Sequence, residues 1–163
     1  MSAEIIPSYE ELARRLATER QGRVVAMTNG CFDVLHVGHV RLIAEGAALG
    51  DLFVVALNDD ASVRKNKGEG RPLVPLVERM EVIAALRGVD YVTSFREPTA
   101  HALLESLRPD VHVKGTDWTA DAVPERAVVE GYGGRIAIAG DPKEHSSTDL
   151  IGKMARAEEP ANE

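Results

Sequence analysis

The stretch "TNGCFDVLHVGH", residues 28–39, sets a glycine, an aspartate and two histidines between an apolar run and a helical pattern. Ahead of it "RVVAMT" (23–28) reads as a buried strand, and behind it "VGHVRLIAEGAALG" (37–50) reads as a helix ended by Gly50. Strand, tight turn and helix make the first half of a βαβ unit. The alternation continues outward, with strands expected at "DLFVVALN" (51–58), "DYVTSF" (90–95), "VHVKG" (111–115) and "RIAIAG" (135–140). Between them "PLVERMEVIAALRG" (75–88) starts at Pro75, stops at Gly88 and keeps Leu76, Met80 and Ile83 on one face. "TAHALLESLRP" (99–109) is a helix closed by Pro109, and "TADAVPERAVVEGYGG" (119–134) reads as another. "RKNKGEGRP" (64–72) is too polar and glycine-rich for core and reads as a basic loop. The expected fold is a single three-layer, Rossmann-like α/β domain with a mostly parallel sheet of about five strands.

Residues 23–152 form that domain. Residues 1–22 are expected as a helical lead, with a Ser8/Glu11 capping box and Leu12 and Leu16 at helical spacing. A last helix from near Ser146 runs into an acidic tail, 153–163, expected to fray. The net charge of −7 argues against a broad nucleic-acid footprint, so phosphate chemistry needs a local basic cluster. One cysteine, Cys31, leaves no intrachain disulfide and no Cys-rich zinc pattern. No apolar stretch reaches the ~20 residues of a membrane span, and the acidic start "MSAEIIPSYEE" carries no signal-peptide core. A cytoplasmic protein is expected, with small-molecule substrates and neither nucleic acid nor membrane as partner.

In parallel sheets ligands bind outside the carboxyl ends of the strands. Those ends carry Thr28-Asn29-Gly30, Asn58-Asp59-Asp60, Phe95-Arg96, Lys114-Gly115-Thr116-Asp117 and Gly140-Asp141, a collection of polar groups beyond what turns require. G-x-G-x-x-G, G-x-x-x-x-G-K-[ST] and G-x-S-x-G are all absent, which removes dinucleotide-binding, P-loop and α/β-hydrolase readings. Asp33, His36 and His39 are spaced by three, but the helix starts only near Val37 or Gly38, so they share no helical face. No fourth ligand lies nearby, and no protein metal site is assigned. If Gly38 opens the helix, the unpaired amides of the first turn form an anion site that a phosphate can approach closely. His36 and His39 flank it as donors, an arrangement suited to phosphoryl or nucleotidyl transfer. The plain alternative has His36 capping the turn and His39 facing solvent.

"GCFDVLHVGH" resembles the G-x-F-D-x-x-H-x-G-H signature of the HxGH nucleotidyltransferases, which include cytidylyltransferases and pantetheine-phosphate adenylyltransferase. "LNDDASVRKNKGEGRPLVP", "ERMEVIAALRGVDYV", "LRPDVHVKGTDW" and "HSSTDLI" are together similar to the adenylyltransferases that make ADP-glycero-manno-heptose from heptose 1-phosphate and ATP. In many bacteria that activity is the C-terminal half of a bifunctional protein with a sugar kinase, and this chain resembles the stand-alone form. The resemblance runs from about Thr28 to Ile151. It implies that His36 and His39 bind the triphosphate and stabilise the transition state. It places Asn29, Gly30, Cys31, Phe32, Asp33 and Gly38 at the nucleotide, although Asp33 is equally readable as a residue holding the turn. Cys31, with no base partner in view, also reads as a small buried filler.

Lys67 and Arg71 of the basic loop and Arg79 match family positions near the phosphates, while Lys65 reads as a solvated charge. For Arg79 the alternative is an exposed helix position at the edge of the apolar stripe. Asn58, Asp60 and Asp117 join the candidates from the rim. Lys114, following core "VHV", is poorly explained by packing and is assigned to a substrate or phosphate contact, catalytic with the histidines. Ser146 and Asp149 cap the last helix, and Ser146, Ser147 and Thr148 add hydroxyls at a helix start. The family pattern here is Ser-Thr-Thr, often followed by a basic residue, so Asp149 is a departure. His101 reads as a helix-surface residue, His112 as a strand residue and Trp118 as a wall of the sugar or base pocket.

The reaction implied is in-line attack of a sugar 1-phosphate on the α-phosphorus of ATP, with Mg²⁺ carried by the nucleotide phosphates and pyrophosphate leaving. The resemblance also implies a homodimer. The same chemistry on another alcohol phosphate, such as glycerol 3-phosphate with CTP or FMN with ATP, stays open. So does a nucleotide-binding regulatory module without turnover.

Overall fold

The computed structural model describes residues 2–142 and 146–157. His145 and the tail from residue 158 onward lie outside the described residues. The strands are β1 (Glu4–Ser8), β2 (Val25–Gly30), β3 (Leu52–Asn58), β4 (Tyr91–Phe95), β5 (Val111–Gly115) and β6 (Arg135–Ala139). The helices are α1 (Tyr9–Glu19), α2 (Val37–Ala47), α3 (Asp60–Lys67), α4 (Leu76–Ala84), α5 (His101–Leu107), α6 (Arg126–Gly131) and α7 (Ser147–Ala157), with a 3₁₀ turn at Ala120–Ala122. The six strands form one sheet in the order β1-β4-β3-β2-β5-β6, and every pairing is parallel.

β3 lies inside the sheet and is buried along its whole length, which is why it reads as an unbroken apolar run. One face packs Val25, Met27, Val54 and Ala56 against Leu12 and Leu16 of α1 and Leu103 and Leu104 of α5. The other packs Ala26, Phe53, Val55 and Leu57 against Ile43 of α2 and Met80 and Ile83 of α4. The result is three layers, helix on sheet on helix.

Three segments differ from the sequence reading. The lead over 1–22 holds a strand as well as the helix, so the sheet has six strands rather than about five. β1 is short and contains Pro7, which only an edge strand tolerates. Its register shifts between Ile5 and Ser8, and the Pro7 carbonyl accepts from the Ser94 hydroxyl at 2.9 Å. Residues 64–67 of the basic loop are the last turn of α3. Little of that helix is apolar, but Asp59 caps it through the Ser62 amide at 2.7 Å and Arg64, Lys65 and Lys67 complement its C-terminal dipole. The segment read as one helix over 119–134 is the 3₁₀ turn followed by α6.

The sheet order places the topological switch between β2 and β5: from β2 the chain winds one way through β3 and β4, and β5 and β6 lie on the other side. The opposite rim is sealed by three aspartates, each just before a strand. Asp51 accepts from the Val24 amide at 2.8 Å, Asp110 from the Val25 amide at 2.8 Å and Asp90 from the Phe53 amide at 2.7 Å. Each carboxylate thus satisfies an amide at the start of the adjacent strand. Asp90→Ala is expected to lower stability by about 1–2 kcal/mol in urea denaturation, because it removes the acceptor of the Phe53 amide.

Candidate active site

At the carboxyl ends of β2, β3, β5 and β6 opens a cavity of about 690 Å³. The β2–α2 turn forms its floor. Phe32 adopts a left-handed backbone, φ 48°, which folds its ring into the core. The preceding glycine makes room for that ring, since a Cβ at Gly30 would stand 3.2 Å from Phe32 Cε2. The chain then enters α2 through His36, whose Nδ1 accepts the Gly38 amide at 3.2 Å. His39 reciprocates, its Nδ1 accepting the His36 amide at 3.3 Å. The two imidazoles therefore make a capping box of the kind Ser and Glu usually form.

This corrects the expectation that the first-turn amides stand open for an anion. The Gly38 amide is taken by His36 Nδ1, and the His39 amide by the His36 carbonyl at 3.0 Å. What the helix start presents instead is imidazole edges. An Nδ1 that accepts a hydrogen bond carries no proton, so each neutral ring bears its proton on Nε2, on the opposite edge. The rings lie 3.9 Å apart between centroids, His39 also rests against Phe32, and both histidines line the cavity. Burial, then the neighbouring His36, pushes the His39 pKa from 6.5 down to about 4, so the ring is neutral at physiological pH.

The structure brings most of the sequence-derived candidates to this cavity. Asn29, Gly30, Cys31, Phe32, Asp33 and Gly38 line it from the turn. Asn58, Lys67 and Arg71 line one side, Lys114 and Asp117 another, and Ser146, Ser147 and Thr148 stand at the start of α7. The Ser147 hydroxyl donates to the Val34 carbonyl at 2.7 Å, and Ser146 accepts the Asp149 amide at 3.0 Å, so α7 is tied to the motif loop. Asp149, the departure from the family pattern, is also at the cavity. Lys65 is exposed and lies off it.

Asp60 and Arg79 are not brought in. Arg79 is neither an exposed helix residue nor a cavity residue: it is 2% exposed. Its guanidinium donates to the carbonyls of Cys31, Val74 (2.9 Å) and Asn58 (3.0 Å) and pairs with Asp60 at 2.7 Å. It clamps the motif turn, the end of β3 and the 71–74 loop to one another. Asp33 acts alongside it. Its carboxylate accepts the amides of Leu73 (2.8 Å) and Val74 (2.9 Å) and pairs with Arg71 at 2.5 Å. Burial by itself raises the Asp33 pKa, but these bonds outweigh it and hold the group below its ordinary value. The geometry favours Asp33 as the residue that holds the loop.

Cys31 is half-buried at the cavity rather than a buried filler, with Sγ 3.8 Å from Asn58 Oδ1. Burial pushes its pKa up, so it remains a thiol and a poor nucleophile. Lys114 has a partner the sequence did not suggest. Its ammonium lies 3.5 Å from Glu125 Oε2, both side chains being 11% exposed, and 5.7 Å from the centre of the Trp118 ring. No local pattern marks Glu125, because the contact joins β5 to the start of α6. Gly115 serves this wall, since a Cβ there would meet Asp117 Oδ1 at 2.9 Å.

The profile of the cytidylyltransferase-like family matches residues 27–153. The bifunctional protein HldE of Geobacter sulfurreducens is 47% identical over 153 residues, covering 93% of this chain and 31% of that protein. HldE of Azotobacter vinelandii is 46% identical over 136 residues, covering 83% and 29%. The chain thus spans about a third of the length of these curated relatives. Among solved structures, the lipopolysaccharide core biosynthesis protein from Thermoplasma volcanium matches with a TM-score of 0.61 at 27% identity, covering 72% of this chain and 94% of that one. The pantoate-beta-alanine ligase of Francisella tularensis matches with a TM-score of 0.64 at 15% identity, over 99% and 82%, a likeness of fold.

Arg79→Met is expected to cost about 3 kcal/mol or more in urea denaturation, because three carbonyls in or near the core lose their donor; Arg79→Lys should recover only part, since one ammonium cannot span the same acceptors. Acid should also weaken the fold through His39. Between its unfolded pKa of 6.5 and its folded value of about 4 the unfolded chain binds more protons, so stability falls as pH drops through that window. The fall should be smaller in His39→Gln, measured as the difference between the two pH–stability curves.

Proposed function

The chain belongs to the cytidylyltransferase-like family, and we propose that it is an adenylyltransferase joining AMP from ATP to D-glycero-β-D-manno-heptose 1-phosphate, giving ADP-heptose and pyrophosphate. The observation that carries this reading is the histidine capping box, which sets two imidazoles with fixed tautomers at a cavity that Lys67, Arg71 and Lys114 also line. The heptose acceptor is supported by the resemblance from Thr28 to Ile151 and by the 47% identity to HldE of Geobacter sulfurreducens.

Such a site supplies directed donors and positive charge. Burial raises the Cys31 pKa, which leaves the thiol a poor nucleophile and supports reading the transfer as direct. An oxygen of the sugar 1-phosphate attacks the α-phosphorus of ATP; the bond from that phosphorus to the bridging oxygen breaks, and pyrophosphate leaves with its electrons. A phosphate monoester dianion needs no general base. The Nε2–H groups of His36 and His39 donate to the phosphate oxygens, where charge builds in the transition state. Lys114, steadied by Glu125 and Trp118, and Lys67 and Arg71 hold the phosphates in line. The hydroxyls at the start of α7 extend the same cradle.

Mg²⁺ would spread the charge of the triphosphate and the departing pyrophosphate. Among the described residues no three of His, Cys, Asp and Glu converge to hold a metal. That donor set fits an ion whose ligands are mainly the substrate phosphates. The same reading takes the enzyme as a cytoplasmic homodimer; among the described residues no helix is long and apolar enough to cross a membrane.

The direct test is pyrophosphate release with the heptose 1-phosphate at saturating Mg²⁺, comparing ATP with CTP. Release with ATP alone is expected; release with CTP alone would overturn the choice of base, and silence with both would overturn the reaction. In the same assay His39→Ala should lower kcat by roughly 10²–10³, the loss that follows removal of one transition-state donor. His39→Gln, whose amide can donate from near the Nε2 position, should retain more activity than His39→Asn.

A further inference from the structure

His112 stands in the middle of β5, opposite Met27 of β2, at the switch point of the sheet. It is 0% exposed, and its neighbours Val111 and Val113 are core. Its Nε2 lies 2.9 Å from Asn29 Oδ1. A carboxamide oxygen can only accept, so Nε2 carries the proton and Nδ1 is left as a bare acceptor. That Nδ1 is buried and has no hydrogen-bond partner among the described residues. Burial, then the charge of Lys114, pushes the ring's pKa down to about 3, so it stays neutral. An aliphatic side chain would fill this position without an orphaned polar atom. The histidine is therefore unfavourable for packing, and its one polar contact is with a residue that lines the cavity.

With Oδ1 held from below, the Asn29 amino group is turned the other way, and no described residue accepts a hydrogen bond from it. We propose that His112 is a positioning residue that locks the Asn29 carboxamide so that its amino group stands in the cavity as a ready donor to a phosphate oxygen of the nucleotide. Without the lock the carboxamide can turn over and offer its oxygen to the phosphate, which repels it. The inference rests on the reading that a nucleotide triphosphate occupies this cavity, and it adds a residue that touches no substrate.

The test compares wild type with His112→Leu, His112→Gln, Asn29→Ala and the Asn29→Ala/His112→Leu double variant. ATP dissociation constants come from calorimetry, KM and kcat from pyrophosphate release, and Tm from thermal unfolding. His112→Leu should keep or raise Tm, because it removes the orphaned Nδ1, while the Kd for ATP rises roughly tenfold or more. A residue needed only for packing would move both toward loss. His112→Gln, which can donate to Asn29, should recover affinity. Once Asn29 is alanine, His112→Leu should add no further loss, since nothing remains to be held. Unchanged ATP affinity in His112→Leu, or losses that add in the double variant, would overturn the proposal. Wild type that binds ATP yet releases no pyrophosphate overturns adenylyl transfer and leaves this inference standing; wild type that binds no ATP overturns both.

Discussion

The amides at the start of a helix must find acceptors, and at α2 the Gly38 amide and the N-cap His36 amide find them in the two imidazoles that also line the cavity. Much of the site's geometry follows from that choice. Capping fixes the tautomer of each ring and, with it, which edge carries a proton. It also holds the rings 3.9 Å apart, with His39 against Phe32. Phe32 in turn needs its left-handed backbone to reach the core. That bend leaves the Cys31 carbonyl where Arg79 can bind it, and Arg79 carries the restraint on to the end of β3 and the 71–74 loop.

The two rims of the sheet are treated differently. At the amino ends Asp51, Asp90 and Asp110 satisfy amides of adjacent strands, a matched arrangement that serves stability. At the carboxyl ends the matching is incomplete. Among the described residues the buried His112 Nδ1 has no hydrogen-bond partner, and its ring holds the cavity residue Asn29. Leaving such an atom unpaired is unfavourable by about 1–3 kcal/mol, so its place beside the cavity points to a demand other than folding.

What the sequence disclosed was what local pattern encodes. The βαβ alternation, the turn and both histidines are legible because strand, glycine and helix follow one another within residues 23–50. β1 was not, because a short edge strand with a proline carries little signal until β4 pairs with it. α3 was hidden by polarity, since capping and charge rather than an apolar stripe specify it. Arg79 shows a further limit. Its helix could be read, but its partners at positions 31, 58, 60 and 74 are joined only by the fold. Glu125 and His112 are the same case: each acts on a group distant in sequence, so neither spacing nor composition reveals it, whereas Asp33 was legible as a holding residue but its partners at 71, 73 and 74 were not.

The capping arrangement also decides where the positive charge of the cavity must come from. An imidazolium donates from both nitrogens, so protonating either histidine at Nδ1 would break the bond that starts α2. Two charged rings at 3.9 Å would in addition repel each other in a partly desolvated place, and His39 is held neutral accordingly. In the proposed reaction, rings held in this way would aim donors at developing charge without neutralising it. In the proposed reaction that charge would be met by Lys67 and by Arg71 and Lys114, the last two already paired with Asp33 and Glu125. In a chain of net charge −7, the proposed binding of a polyanion needs such a local cluster. Direction and charge are therefore supplied by different side chains, and a substitution that converts one kind into the other cannot replace both.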